Sequence, residues 1–431
     1  MKIAALTYGC KTNQYETICI LNEFLQNGWE LTDFNKEANV YLINTCTVTN
    51  RTDYKSRYAI RNAQQQREKY QNSVVIVTGC YSQLNYQDIV KLGPVDYIID
   101  NNHKNMIFRI FQSMLAPDFA DISTETTFAE QTTTNMIKRS RAIIKIQDGC
   151  NNACAYCAVT HARGPSRSRE RQNILDQVKS LVDNGYQEFV IAGVNLGLYG
   201  QENDDHYYLP ELLADLENIP GVQKLRLSSL EPQLFTEDLM TYFRHSDKIC
   251  HHFHIPLQSG SDKLLSKMGR NYSSNEFRKL FYSLLNIFPD AAIGIDVIAG
   301  LPGETEDLYL ETKELLEELP FAYFHVFPYS KRPGTLASTM PDQVHGEITH
   351  QRVVELTGLS GAKQTAYKKM LIENEVILTA VLENHSGTDL SGVSDHYVRV
   401  HCRDHSYKQS QLIKGKPLML WGGDLLIEVI P

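Results

Sequence analysis

Six cysteines stand in two sets of three where they could do chemistry. Cys150, Cys154 and Cys157 follow Gly149 with the spacing C-x3-C-x2-C, which lets one tight loop present three thiolates to a single cubane iron-sulfur cluster. One iron is then left without a protein ligand. A sulfonium cosubstrate could chelate that iron through its amino and carboxylate groups and accept an electron directly. A zinc loop more often shows paired C-x2-C units, and a ferredoxin loop shows a fourth cysteine nearby; this segment has neither.

The second set is dispersed. Cys10, Cys46 and Cys80 each close a short apolar run, Lys2–Tyr8, Val40–Thr45 and Val74–Thr78, and lie thirty-six and thirty-four positions apart, the length of one βα repeat. In a parallel sheet such repeats bring the carboxyl ends of the strands to one edge, where three thiolates could meet. The competing readings are packed small hydrophobes and a zinc site with a fourth ligand. The helix after Cys10 has Tyr15, Ile18, Leu21 and Leu25 at helical spacing, and Asn13 with Glu16 has the form of a capping box. Cys19, Cys250 and Cys402 read as structural, and the histidines around Phe253 are not taken as metal ligands.

The elements that must position these residues repeat the βα rhythm. Ile143–Ile146, Phe189–Asn195, Lys224–Ser229 and Ile293–Pro302 read as strands, with helical stretches such as Ile174–Asn184 and Glu306–Leu319 between them, as in a (β/α) barrel. From about Glu375 the chain turns to short alternating runs, including Tyr397–Cys402 with Val398, Val400 and Cys402 on one face, then Lys416–Val429. A length of 431 residues leaves room for about three domains. A hydrophobic fraction of 42% with 22% charged residues is that of a globular chain, and neither a membrane span nor a signal peptide is evident, so a cytoplasmic protein with reduced thiols is expected. The net charge of -9 argues against non-specific coating of nucleic acid and leaves room for a local basic site. Candidates for phosphate contact are Arg51, Lys55, Arg57 and Arg61 after Cys46, and Arg163, Arg167, Arg169 and Arg171 after Cys157. The alternatives are a solvated helix face for the first set and loop ion pairs for the second.

With Tyr156 before its last cysteine, the loop resembles the radical S-adenosylmethionine (SAM) superfamily. The segments Tyr8–Thr17, Asn44–Asn50, Gly79–Gln83, Arg163–Arg167, Pro256–Ser261 and Pro328–Thr335 narrow the resemblance to the methylthiotransferases within it. That resemblance implies an α/β protein. An N-terminal parallel α/β domain would occupy residues 1–120, a central partial (β/α) radical-SAM barrel 136–366, and a small all-β, RNA-binding TRAM-like barrel 367–431. It further implies two [4Fe-4S] clusters, one on Cys150, Cys154 and Cys157 and an auxiliary one on Cys10, Cys46 and Cys80. SAM would meet Gly193, Val194 and Asn195 at its amino group, Ser228, Ser229 and Glu231 at its ribose, and Ala299, Gly300 and Leu301 at its adenine, with Tyr156 beside the cluster.

Within the family, Lys11–Glu16 and Thr47–Arg51 are most similar to the branch acting on threonylcarbamoyladenosine at position 37 of tRNA, beside the anticodon. Sister branches act on isopentenyladenosine or on a ribosomal-protein aspartate. The implied reaction removes hydrogen from C2 of the adenine and delivers a sulfur methylated by a second SAM, with an electron donor as a further partner. The C-terminal domain would supply RNA affinity as a separable tail. Two other classes, a non-catalytic zinc-containing RNA-binding protein and an iron-sulfur electron carrier, explain the cysteines but not the barrel.

Overall fold

The computed structural model describes residues 1–115, 117–119, 121–202, 208–386, 389–403 and 406–430. The N-terminal sheet contains β1 (Lys2–Thr7), β2 (Glu30–Leu31), β3 (Val40–Thr45), β4 (Val74–Gly79) and β5 (Tyr97–Ile99), all parallel, in the order β2-β1-β3-β4-β5. β3 is buried at every residue because both faces of the sheet are covered. Its alternation sends Tyr41 and Ile43 into one apolar cluster with Ala59 and Ile60, and Val40 and Leu42 into another with Phe24 and Phe108. The strand order reverses between β1 and β3, so a crevice opens outside their carboxyl ends. Cys10 and Cys46 flank that crevice.

Helix α1 (Lys11–Gln26) starts at Cys10 with no side-chain cap, so the expected capping box of Asn13 and Glu16 does not form. Both residues lie inside the helix, buried, and are used elsewhere. The capping box belongs instead to α2 (Asn50–Lys69), where the Thr49 hydroxyl accepts from the Thr52 amide at 3.2 Å and the Thr52 hydroxyl accepts from the Thr49 amide at 3.0 Å.

The central unit begins with β6 (Ala142–Lys145). The short antiparallel strands β7 (Gln147–Asp148) and β8 (Arg167–Ser168) bracket the second cysteine loop. There follow β9 (Glu188–Ala192), β10 (Lys224–Leu227), β11 (His252–Gln258), β12 (Ala292–Ala299) and β13 (Tyr323–Pro328). They form two parallel three-stranded sheets, β10-β9-β6 and β11-β12-β13, joined by a parallel bridge between Leu225 and Ile249 into a partial barrel. Tyr15, Ile18 and Cys19 of α1 pack into the barrel's own apolar core, so Cys19 is structural and cements the first unit to the second.

The C-terminal strands β14 (Leu378–Ser386), β15 (Asp389–Ser394), β16 (Arg399–Cys402), β17 (Leu412–Trp421) and β18 (Asp424–Ile430) close into a five-stranded barrel. Val398, Val400 and Cys402 share its core, as their alternation predicts. This barrel is not the separable tail that the sequence suggested. The helix Gly346–Glu373 runs into it without a break, and Tyr367 and Leu371 join its core together with Ala292 and Ala322 of the central unit. Arg226 on β10 also donates to the Ser394 carbonyl at 2.8 Å. Among the described residues no helix is long and apolar enough to cross a membrane.

Candidate active site

The loop carrying Cys150, Cys154 and Cys157 is surrounded by donors aimed at sulfur. The Asn152 and Val159 amides lie 3.4 Å from the Cys150 and Cys157 sulfurs, Asn195 Nδ2 lies 3.5 Å from Cys150, and an Arg270 guanidinium nitrogen lies 3.3 Å from Cys154. Burial pushes the Cys157 thiol up to about 12. Such a thiol keeps its proton unless a bound cation displaces it, while the N–H donors are arranged for a charged sulfur. That donor set fits a metal cluster. Arg270, which sequence reading missed, also clamps Glu231 and so joins the loop to the end of β10.

The other three cysteines meet at the ends of β1, β3 and β4. Gly9 adopts φ +101, and a Cβ there would sit 2.9 Å from the Cys46 sulfur, so glycine serves both the turn and the approach of the two loops. Asn13 Nδ2 donates to the Tyr8 and Thr45 carbonyls at 2.8 and 3.1 Å, tying together the segments that carry Cys10 and Cys46. Burial, then Cys80, pushes the Cys46 thiol up to about 12, and the same cation argument applies.

The two sets open on adjoining space. One cavity of about 510 Å³ is lined by Cys10, Cys46 and Cys80 together with Gly193, Val194, Ser228 and Ser229. A second, of about 200 Å³, is lined by Cys80, Tyr156 and Cys157. Asn195 Oδ1 and the Ser228 hydroxyl are buried with no partner among the described residues, as groups awaiting a ligand would be. Gly300 and Leu301 line neither of these cavities. The Gly300 amide donates to Glu304 at 2.7 Å, and Leu301 packs beside Ala155 and Tyr156 beneath the loop. In the larger cavity Asp296 lies 3.0 Å from His254 and 3.2 Å from His325; burial opposes its charge, but the two histidines hold its carboxyl well below the usual range.

Residues 2–100 match the family described as "Uncharacterized protein family UPF0004" and residues 144–316 match the Radical SAM superfamily. Over 408 residues, covering 92% of this chain and 89% of the relative, the chain is 38% identical to the threonylcarbamoyladenosine tRNA methylthiotransferase MtaB of Bacillus subtilis. The chain belongs to the radical SAM methylthiotransferase family. A tRNA-2-methylthio-N(6)-dimethylallyladenosine synthase of Thermoanaerobacter is 32% identical, over 82% of this methylthiotransferase and 76% of that protein. Among solved structures, the radical SAM methyltransferase TsrM of Kitasatospora setae shares the fold, with a TM-score of 0.58 at 13% identity over 78% of this chain and 77% of that one.

What fixes the two cysteine sets of the methylthiotransferase against each other is a buried polar cluster. Glu16 of α1 binds Lys104 at 2.5 Å, Lys145 at 2.8 Å and Arg163 at 2.9 Å, and Asp148 binds Lys145 and Arg163 at 2.7 Å each. Burial alone would neutralise Glu16, yet Arg163, Lys104 and Lys145 hold its carboxyl well below the usual range. On the far side, Arg332 binds Asp53 at 2.6 Å and docks the start of α2 onto the segment after β13. This arrangement corrects the phosphate-contact expectation for Arg163, Arg167 and Arg169, which are 1%, 4% and 2% exposed. Arg163 is spent on Glu16 and Asp148, Arg167 on the Arg163 carbonyl and Asp148, and Arg169 on Glu130 and Gln177. Arg171 is half-buried and lies against Asp215. Arg51, Lys55 and Arg61 are exposed on α2, whereas Arg57 turns back to the Tyr81 hydroxyl at 3.2 Å. Beside them stand Tyr54 and Tyr58, 61% and 60% exposed, which carry no charge to mark them in the sequence.

Proposed function

We propose that this methylthiotransferase converts N6-threonylcarbamoyladenosine at position 37 of tRNA to its 2-methylthio derivative. The observation that carries the proposal is that the two cysteine sets open on adjoining cavities sharing Cys80, so a base placed between them is within reach of both. When bound, a [4Fe-4S] cluster with SAM on the loop set would supply a radical able to take hydrogen from C2, and a second cluster on Cys10, Cys46 and Cys80 would carry the sulfur to be transferred.

The chain's own residues hold and orient. Asn195 and Ser228 offer unpaired polar atoms to SAM, Gly193, Val194 and Ser229 shape its cavity, and Glu231, held by Arg270, closes the ribose side. Leu301 acts at one remove, packed beneath the loop, and Gly300, tied to Glu304, shapes the turn on the adenine side. Arg51, Lys55 and Arg61 meet tRNA phosphates, and Tyr54 and Tyr58 offer faces on which loop bases can stack. A one-electron donor completes the set of partners, and the cytoplasm, where tRNA is found, is the place of action.

The Bacillus subtilis relative bears the threonylcarbamoyl name at 38% identity, against 32% for the dimethylallyl enzyme of Thermoanaerobacter. Nucleoside mass spectrometry of tRNA from cells with and without this protein tests the reading. The expected loss is 2-methylthio-threonylcarbamoyladenosine. Loss of the isopentenyl product instead, or of neither, would overturn it.

A further inference from the structure

We propose that Lys11 selects the substrate, its ammonium taking the carboxylate of the threonylcarbamoyl group. The inference rests on the substrate reading above and names the residue that would enforce it. Lys11 is the first residue of α1, next to Cys10, and lines both the cysteine cavity and a neighbouring one shared with Arg139, Arg141, Arg226 and Tyr397. It is half-buried, yet among the described residues its ammonium makes no hydrogen bond and no ion pair.

Its neighbours behave differently. Lys104, Lys145 and Arg163 are each bonded to Glu16 or Asp148, and Arg226 is bonded to Glu188 at 2.7 Å. The nearby carboxylates are also committed, Asp296 to His254 and His325, and Glu188 to Arg226. A cation withdrawn from water without a partner is costly, and such a group is most readily explained by a ligand that completes it.

The chemistry of the base points the same way. C2 and the N6 substituent of adenine lie on the same edge of the ring, on either side of N1. A base that turns C2 toward Cys10, Cys46 and Cys80 therefore carries its N6 substituent into their surroundings, where Lys11 stands. A threonylcarbamoyl group brings a carboxylate. An isopentenyl group would cover the ammonium with hydrocarbon and leave it unpaired, the situation in which a polar site discriminates most strongly.

The experiment uses the full chain carrying its iron-sulfur clusters and anticodon stem-loop RNAs with threonylcarbamoyladenosine, its neutral carboxamide analogue, or plain adenosine at position 37. The wild type should bind the acid on the order of 10- to 100-fold more tightly than the carboxamide. Lys11→Gln should reduce that preference to within about twofold, while leaving affinity for the adenosine RNA unchanged. Lys11→Arg, which keeps the charge, should retain a preference for the acid. Iron content and thermal unfolding of each variant report whether it folds. An absent preference in the wild type overturns the inference whatever the variants do. So does an undiminished preference in Lys11→Gln, or an equal loss of affinity for all three RNAs, which would make Lys11 a phosphate contact. The substrate reading fails separately, if the wild type forms no 2-methylthio product from the acid RNA.

Discussion

The two cysteine sets have the same number of thiols and are built in opposite ways. The loop set lies within eight residues, between β7 and β8, and two of its N–H···S donors come from residues two positions beyond the cysteines they serve. The assembled set is drawn from three strand ends, held by Asn13 across two loops and oriented toward the barrel by Glu16 through Lys145 and Arg163, 129 and 147 positions away. A site written locally keeps its shape as long as its loop folds. A site written by topology inherits every weakness in the packing between units.

The strongest way to break this comparison is to remove each set in turn. Replacing Cys150, Cys154 and Cys157 by alanine should abolish SAM cleavage to 5′-deoxyadenosine. Replacing Cys10, Cys46 and Cys80 should roughly halve bound iron, spare cleavage and eliminate the methylthio product. Methylthiolated nucleoside from the second variant would return those three residues to the status of packed thiols.

Next in size is Glu16→Gln. It removes the carboxylate shared by Lys104, Lys145 and Arg163, leaving Asp148 to serve the latter two, and an uncompensated buried charge costs about 3–5 kcal/mol. Denaturant unfolding should register that loss. Reconstituted iron should fall first at the assembled set, because the loop set has its own local donors. Equal loss at both sets, resolved by cluster spectroscopy in the two triple-cysteine backgrounds, would erase the distinction.

This contrast also explains what could be read in advance. The loop spacing was legible because its chemistry is local, and the strand-end cysteines were legible because the apolar runs of β1, β3 and β4 announce a parallel sheet. Asn13 and Glu16 misled because three residues of sequence form a capping-box pattern, while the groups that claim them, Thr45 and Arg163 for Asn13 and Lys104, Lys145 and Arg163 for Glu16, are remote in sequence. The arginines after Cys157 misled for the same reason: nothing local distinguishes an arginine waiting for phosphate from one closed onto Glu16. Lys11 was legible only as part of the Lys11–Glu16 segment, since being unpartnered is a property of the folded surroundings alone.

A third contact sharpens the comparison through pH. His396 of the C-terminal barrel lies 2.8 Å from Asp395 and 3.3 Å from Asp290 of the central unit. Burial works against its charge, but the two carboxylates outweigh burial and push it up to about 9. Unfolded histidine titrates near 6.5, so the folded chain holds an extra proton between these values. The stabilisation is complete below about pH 6.5 and is lost as pH rises through about 9, amounting to about 3 kcal/mol. Unfolding at pH 6 and pH 9.5 should show this difference in the wild type and much less of it in His396→Gln, where an unchanged pH dependence would assign it to other groups.

The smallest effect separates two kinds of basic residue. Lys55 and Arg61 follow the assembled set on an exposed helix face, whereas Arg163 follows the loop set into a buried cluster. Lys55→Ala with Arg61→Ala should leave stability within about 0.5 kcal/mol, because both residues are exposed. Their charge should matter only to a polyanion. Each phosphate contact releases condensed counterions, so the slope of log affinity for tRNA against log salt should flatten by about 1.5 for the pair. Arg163→Ala should do the reverse, costing stability while leaving the slope of the folded fraction untouched. The face of α2 beside Cys46 would then be where tRNA is gripped, and the loop side where the two units are held together. An unaltered slope in the Lys55 and Arg61 variant would make them ordinary solvated charges and move the tRNA footprint onto Tyr54 and Tyr58 or off the helix altogether.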